Sequence, residues 1–285
     1  MKAALIGHGI SASLTPPMHE TEAGTQGFDY TYGRMDTALA PYDTMSLQNL
    51  LARAQSDGLA GVNITHPFKV EAAGLADELS DTARLLGAVN TMLFRDGRLI
   101  GHNTDYIGFR SALRARLPMA PIGRVLLIGA GGAGGAVGLA LIDQGCETLS
   151  LFDRDRSAAE ALARRLRSAR PRVAVQVVGS FGDCDPARLN GVVNATPMGM
   201  DSHPGMAIDP TILGAACWVA DIVYFPRETA LLRAASERRL RVMDGSGMAV
   251  FQAAAAFHLI TGRTASPERM AATLARLTQA EEIPA

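Results

Sequence analysis

Cysteine is scarce in this 285-residue chain: Cys146, Cys184 and Cys217 stand far apart, form no C-x-x-C and are odd in number. That argues against a disulfide framework or a structural zinc and points to a reducing compartment, the cytoplasm. Long apolar runs are missing as well. The opening Met1 to Ile6 stops at Gly7, too short for a secretory core or a membrane span. An excess of one charge is also missing, since 27 basic residues face 28 acidic ones for a formal net charge of -1. Without a field of one sign, neither nucleic acid nor a membrane surface is an expected partner, and an anionic ligand must be caught locally. The six histidines show no H-x-x-x-H or other ligand spacing, so no metal is expected. There is no internal repeat or low-complexity segment.

What the chain does have is alternation. Short β-rich runs are separated by stretches of helical period almost throughout, which implies an α/β protein with a mostly parallel sheet. Its length suits two domains sharing a cleft. In the first third, Ala3–Ile6, Asp29–Tyr32, Gly61–Ile64, Thr91–Phe94 and Leu99–Gly101 read as strands, with helices over 16–26, 44–55 and 67–76. Pro67 falls in the first turn of the last helix, where a missing N–H costs nothing, so Thr65 and His66 mark its entrance. A Pro-rich stretch at 117–121 precedes a second unit. That unit runs strand, glycine-rich turn, helix 133–144, strand 148–152, helix 157–167, strand 173–178, then strands 191–194 and 219–223, a doubly wound nucleotide-binding order. Helices follow at 249–261 and 267–278. The boundaries expected are 1–105 plus 243–285 for an α/β substrate domain completed by C-terminal helices, and 106–242 for a Rossmann-type dinucleotide domain.

Gly129-Ala130-Gly131-Gly132-Ala133-Gly134 satisfies G-x-G-x-x-G between the apolar run Val125 to Ile128 and a small-residue helix. Glycines let the backbone turn tightly beside a pyrophosphate, and the helix amino end offers free N–H groups and a positive dipole. No Gly-Lys-Ser/Thr follows, which disfavours a P-loop. The next strand ends at Asp153, whose carboxylate suits the adenosine ribose hydroxyls and repels a 2'-phosphate. Arg154 and Arg156 pull the other way, because an arginine here can pair with that phosphate. NAD is therefore the expected cofactor and NADP the alternative; a plain helix N-cap is the bland reading of Asp153.

In the first domain, polar residues interrupt apolar runs. Ser13 and Thr15 precede Pro16, and in an extended segment residues two apart face the same way, so they present paired hydroxyls suited to a carboxylate. Thr15 also reads as a helix N-cap. Lys69 follows Asn63-Ile64-Thr65-His66-Pro67-Phe68, and a lysine held near a helix amino end can serve as a general base; alone it reads as a solvated surface residue. Gly87 to Thr91 and Gly101 to Asp105 form polar clusters at strand ends, where Asn90 and Asp105 can orient hydroxyls. Gln252 sits amid apolar residues and needs a partner, structural or substrate.

These residues, in this order, resemble the shikimate dehydrogenase family over nearly the whole chain. Asn63 to Lys69 is similar to its N-[VI]-T-x-P-[FY]-K, Gly87 to Thr91 to its G-A-V-N-T, and Asn103 to Asp105 to its N-T-D. Gly129 to Ala133 resembles its G-A-G-G-A, Asn194 to Gly199 its N-A-T-x-x-G, and Asp244 to Gln252 its terminal D-G-x-x-M-x-x-x-Q. The resemblance implies an oxidoreductase acting on shikimate, quinate or both, with Lys69 and Asp105 as the catalytic pair. It implies Ser13 and Thr15 on the substrate carboxylate, Thr65, Asn90 and Gln252 on ring hydroxyls, and Tyr224 near the substrate. Gly129 to Gly134, Asp153, Arg154, Ile222 and Gly245 would face the cofactor. Thr15 in place of a second serine, and Phe152-Asp153-Arg154 in place of an Asn-Arg-Thr-like stretch, resemble the quinate/shikimate branch, whose members tend to use NAD. The alternatives are a relative acting on aminoshikimate or a similar acid, and a non-catalytic nucleotide-binding module. Methylene-tetrahydrofolate dehydrogenase shares the plan, but Ser13, Thr15 and Gln252 argue against it. A monomer or homodimer is expected.

Overall fold

Successive side chains of a strand point to opposite faces, so a sheet covered on both sides must be apolar at every position. In the computed structural model, which describes residues 1–281, β1 (Lys2–Gly7) shows this directly. Ala3 and Leu5 enter one apolar cluster, Ala4 and Ile6 the other. The chain goes on through α1 (Thr15–Thr25), β2 (Thr31–Asp36), α2 (Leu47–Ser56), β3 (Gly61–Ile64), α3 (Lys69–Leu75), β4 (Glu78–Leu79), α4 (Asp81–Leu86), β5 (Thr91–Arg95), β6 (Arg98–His102) and α5 (Asp105–Arg116). Then come β7 (Arg124–Ile128), α6 (Gly132–Asp143), β8 (Thr148–Phe152), α7 (Arg156–Ala169), β9 (Ala174–Val177), β10 (Gly191–Asn194), β11 (Trp218–Asp221), α8 (Ala230–Glu237), β12 (Arg241–Met243), α9 (Ser246–Thr261) and α10 (Pro267–Glu281).

Two units result: Met1–Gly108 with the chain from Val250 on, and Phe109–Ala249. Residues 282–285, assigned from sequence to the substrate domain, lie outside the described residues. In the first unit the sheet order is β2-β1-β3-β5-β6-β4, with β1 parallel to β2 and β3, and β5 antiparallel to β3 and β6. One face packs Met18, Tyr32, Phe257, Ile260 and Leu274; the other packs Leu50, Leu51, Val62, Ile64 and Met92. Helix α2 shows why it covers that face: Leu47, Leu50, Leu51 and Ala54 are buried at helical spacing, and the Ser46 hydroxyl caps its start by accepting from Asn49 N–H at 3.2 Å. His19 lies in the first core, fully buried beside Tyr30, Tyr32 and Phe257, and desolvation lowers its pKa to about 3, so it is neutral.

The second unit is a parallel sheet in the order β12-β11-β10-β7-β8-β9. The order reverses between β7 and β10, and in such sheets ligands bind at the carboxyl ends of the strands beside that reversal.

Local differences from the sequence reading have identifiable causes. The second strand lies at Thr31–Asp36 rather than 29–32, because it runs alongside the whole of β1. Pro67 is not in a first helical turn: Phe68 N–H closes a turn onto Thr65 O at 2.9 Å, and the helix begins at Lys69. The segment before Pro16 is not extended either. Ser13 N–H bonds Ile10 O at 3.0 Å and Leu14 is in the right-handed helical region, so the argument that spacing alone pairs Ser13 with Thr15 does not hold. Thr15 is the first residue of α1 and not its N-cap, which is Leu14. Helices α4, α5 and α8 and strands β4 and β12 escaped the periodicity reading; all but the twelve-residue α5 are eight residues long or fewer.

Candidate active site

The glycine-rich turn joins β7 to α6 in the second unit. A β-carbon on Gly134 would fall 2.1 Å from Gly129 O, so no other residue lets the first turn of the helix close on the strand end. Gly131, at the helix N-cap, has nothing within 4 Å of where its β-carbon would stand. That leaves the amino end of α6 open to an anion, as a pyrophosphate requires. Asp153, just past β8, accepts Ala130 N–H at 2.7 Å and Asp155 N–H at 2.9 Å, tying the acidic strand end to the turn. The N-cap of α7 is Asp155, so Asp153 is free of that duty. Arg154 is exposed beside it, while Arg156 is engaged by Glu160 at 2.9 Å. These residues fit a dinucleotide with unmodified ribose.

Deeper in the second unit, at the ends of β10 and β11, Asp221 is fully buried. It accepts from Asn194 Nδ2 at 2.9 Å, Val223 N–H at 3.0 Å and the Thr229 hydroxyl at 2.8 Å. Burial outweighs these bonds and raises its pKa to about 6. Ile222 and Tyr224 follow it, and Gly245 is packed so tightly that a β-carbon would lie 2.3 Å from Ile222 O.

In the first unit, Lys69 Nζ and Asp105 Oδ2 are 2.6 Å apart, with side chains 19% and 8% exposed. Each is the first residue of its helix, α3 and α5. A carboxylate belongs at a helix amino end; an ammonium does not, and Asp105 offsets that mismatch at Lys69. Two loops bring the pair together. Val89 N–H bonds Lys69 O at 2.8 Å, Asn103 Nδ2 bonds Ala88 O at 3.0 Å and Asn90 N–H bonds His102 O at 3.0 Å. Asn90 is 3% exposed, and its Oδ1 accepts Thr104 N–H at 2.7 Å and the Thr91 hydroxyl at 3.1 Å. Gln252, on α9, meets the Thr104 hydroxyl at 3.4 Å. Thr65 follows β3 beside Gly7, and the half-buried Ser13 and Thr15 stand at the start of α1, Thr15 N–H reaching Ser13 Oγ at 3.4 Å. Lys69, Asp105, Asn90 and Gln252 thus converge within one unit; Tyr224 and the dinucleotide residues belong to the other. Among the described residues, no group of three or more His, Cys, Asp or Glu is placed to hold a metal ion.

Comparison with known proteins decides the family. The model of the shikimate dehydrogenase substrate binding domain matches residues 5–92. A shikimate dehydrogenase (NADP(+)) of Pseudarthrobacter chlorophenolicus is 44% identical over 99% of this chain and 96% of its own length. The chain belongs to the shikimate dehydrogenase family. A second family member, the quinate/shikimate dehydrogenase (NAD(+)) of Corynebacterium efficiens, is 46% identical over 96% of this chain and 97% of its own. Among solved structures of the family, quinate dehydrogenase from Corynebacterium glutamicum in complex with NAD superposes with a TM-score of 0.91 at 42% identity, covering 97% of this chain and 99% of that one. Shikimate 5-dehydrogenase from Thermus thermophilus in complex with NADP(H) and shikimate follows at 0.83 and 32%, covering 97% and 99%. The two-domain α/β plan with a Rossmann-type unit is therefore this family's.

Sequence reasoning gave no role to Asn63, Thr91 and Thr104 within the family motifs, nor to Tyr32 outside them, though all four are buried and joined in the hydrogen-bond network that holds Asn90. The signal available was their polarity inside apolar runs, which marks a buried residue that needs partners.

Proposed function

We propose that this protein catalyses the reversible, NAD-linked oxidation of a ring hydroxyl, converting shikimate to 3-dehydroshikimate and quinate to 3-dehydroquinate. The observation that carries the reading is the 2.6 Å Lys69–Asp105 pair, part-buried at two helix starts beside the Asn90 and Gln252 amides. Bound NAD supplies the hydride acceptor. The chain's residues do the rest. Lys69 Nζ takes the proton of the reacting hydroxyl, and the Asp105 carboxylate orients Nζ and offsets the charge it gains. Asn90, Gln252 and Thr65 hold the remaining hydroxyls, and Ser13 and Thr15 the substrate carboxylate. In the second unit Gly129 to Gly134 receive the pyrophosphate and Asp153 the adenosine ribose, with Arg154 at its rim. Ile222 and Gly245 face the cofactor, and Tyr224 is the second unit's candidate for the substrate.

The preference for NAD is supported by Asp153, held at the strand end with a carboxylate where a 2'-phosphate would have to sit. NADP is the weaker alternative. The protein works as a monomer or homodimer in the cytoplasm, without nucleic-acid or membrane partners; no helix among the described residues is long and apolar enough to cross a membrane.

The test is steady-state oxidation of shikimate and quinate with NAD and with NADP, for the purified protein and for Lys69→Ala and Asp105→Ala. Turnover with NAD that drops by ~10²- to 10⁴-fold in both variants is expected. Absence of turnover in every combination overturns the substrate assignment.

A further inference from the structure

Asn90 and Gln252 come from distant parts of the chain, and one hydroxyl joins them. Thr104 is 1% exposed, the middle residue of Asn103-Thr104-Asp105, and its Oγ1 accepts from Asn90 Nδ2 at 3.0 Å while standing 3.4 Å from Gln252 Oε1. The direction of the remaining proton follows by elimination. Asn90 Oδ1 lies 3.2 Å from Thr104 Oγ1, but it already accepts Thr104 N–H at 2.7 Å and the Thr91 hydroxyl at 3.1 Å. A carbonyl oxygen has two lone pairs, so the Thr104 proton goes to Gln252 Oε1. Asn63 braces Asn90 through the Asn90 main-chain carbonyl and through the Thr91 hydroxyl. Its Nδ2 donates to Asn90 O at 3.2 Å and Thr91 Oγ1 at 2.9 Å, and its Oδ1 accepts the Tyr32 hydroxyl at 2.6 Å.

We infer that Thr104 is a positioning residue that sets the polarity of the substrate pocket. This rests on the proposed function. With both amide oxygens held inward, Asn90 keeps one Nδ2 hydrogen and Gln252 its Nε2 hydrogens for the ligand. The ring oxygens that meet these amides accept hydrogen bonds, and their own protons pass to acceptors such as Asp105. A ring carrying hydroxyls at those positions is matched. An ammonium there meets N–H donors and is rejected, which selects hydroxy acids over their amino analogues.

Thr104→Val removes the hydroxyl at nearly constant volume, and Thr104→Ser restores it without the methyl. KM for shikimate should rise about tenfold in Thr104→Val. Its KM for NAD should stay within about twofold, since the two bonds lost serve only the ring. The preference of kcat/KM for shikimate over an amino analogue should narrow. Thr104→Ser should return KM and the preference toward wild type, and thermal unfolding of each variant checks that the fold is intact. A folded Thr104→Val with wild-type KM and preference overturns the inference while wild-type turnover leaves the proposed function standing. Equal damage in Thr104→Ser and Thr104→Val overturns it too, because the hydroxyl is then not the cause. A wild-type protein that oxidises neither shikimate nor quinate overturns both.

Discussion

The two units bury polar groups in opposite ways. The first keeps carboxylates where donors outnumber the cost of burial: Glu22, 1% exposed, receives Arg269, Gln26 and Ser266 N–H, and Asp36, 4% exposed, receives the N–H groups of Gly9, Ile10 and Ala38 and the Ser11 hydroxyl. Desolvation alone would raise both carboxyls, yet these bonds outweigh it and both pKa values lie below the usual range. The second unit buries Asp221 with three donors and no cation among them, and there burial wins. The site chemistry divides along the same line. Under the proposed function side chains carry it in the first unit, while in the second the backbone of the glycine turn carries the pyrophosphate, so substitution at these positions should act on chemistry in one and on close packing in the other.

The packing half of that contrast predicts the largest effect. Gly134→Ala forces a β-carbon 2.1 Å from Gly129 O, a contact that only backbone movement can relieve. NAD affinity measured by calorimetry should fall by at least ~10²-fold, the scale of losing a preorganised anion site, while shikimate affinity, resting on the first unit, should hold. Retained NAD affinity would break the division between side-chain and backbone sites.

Asp221 tests the other half through stability. Its folded pKa, about 6, lies above the ordinary value of 3.8, so its contribution favours the fold at low pH and is lost as pH rises through about 6. Above that the ionised carboxylate costs about 3 kcal/mol. Asp221→Asn has no proton to lose. Between pH 4 and 8, urea unfolding should therefore shift in the variant's favour by up to about 3 kcal/mol relative to wild type. Parallel stability curves would show that the three hydrogen bonds offset burial fully.

What was legible in the sequence follows from how local each constraint is. The glycine turn was, because Gly129 and Gly134 must meet within six residues, and so was the doubly wound order of the strands around it. The pairing of Lys69 with Asp105 spans 36 residues, and that of Thr104 with Gln252 spans 148. No periodicity records such distances, so the first pairing came from family resemblance and the second only from coordinates. The expectation of an extended Ser13 to Thr15 failed because the bias of a proline toward an extended neighbour was overridden: a turn closed by Ser13 N–H onto Ile10 O leads into Leu14 in the helical region and Thr15 at the start of α1. Strand β12 has three residues, too few for an alternation to register, and exists because β11 offers it a parallel edge.

The smallest effect expected is at Glu22, where the sign of the pH dependence reverses. Arg269 Nε and Nη2 hold its carboxylate at 2.9 and 2.5 Å, linking α1 to α10. Arg269→Met leaves Gln26 and Ser266 N–H in place, so the loss near pH 7 should be about 2 kcal/mol, that of hydrogen bonds to a charged group. Because the folded Glu22 pKa is lowered, its contribution is fully present above the ordinary value of 4.5 and fades as pH falls below it. The deficit of the variant should therefore narrow on going from pH 7 to pH 4, and the advantage of Asp221→Asn should shrink over the same range, so that the two variants approach wild type from opposite sides. Urea titrations at both pH values decide it. A gap that stays constant would mean that Arg269 stabilises α10 through its aliphatic stem rather than its charge, and the contrast between the ion-paired Glu22 in one unit and Asp221, with no cation among its donors, in the other would lose its electrostatic basis.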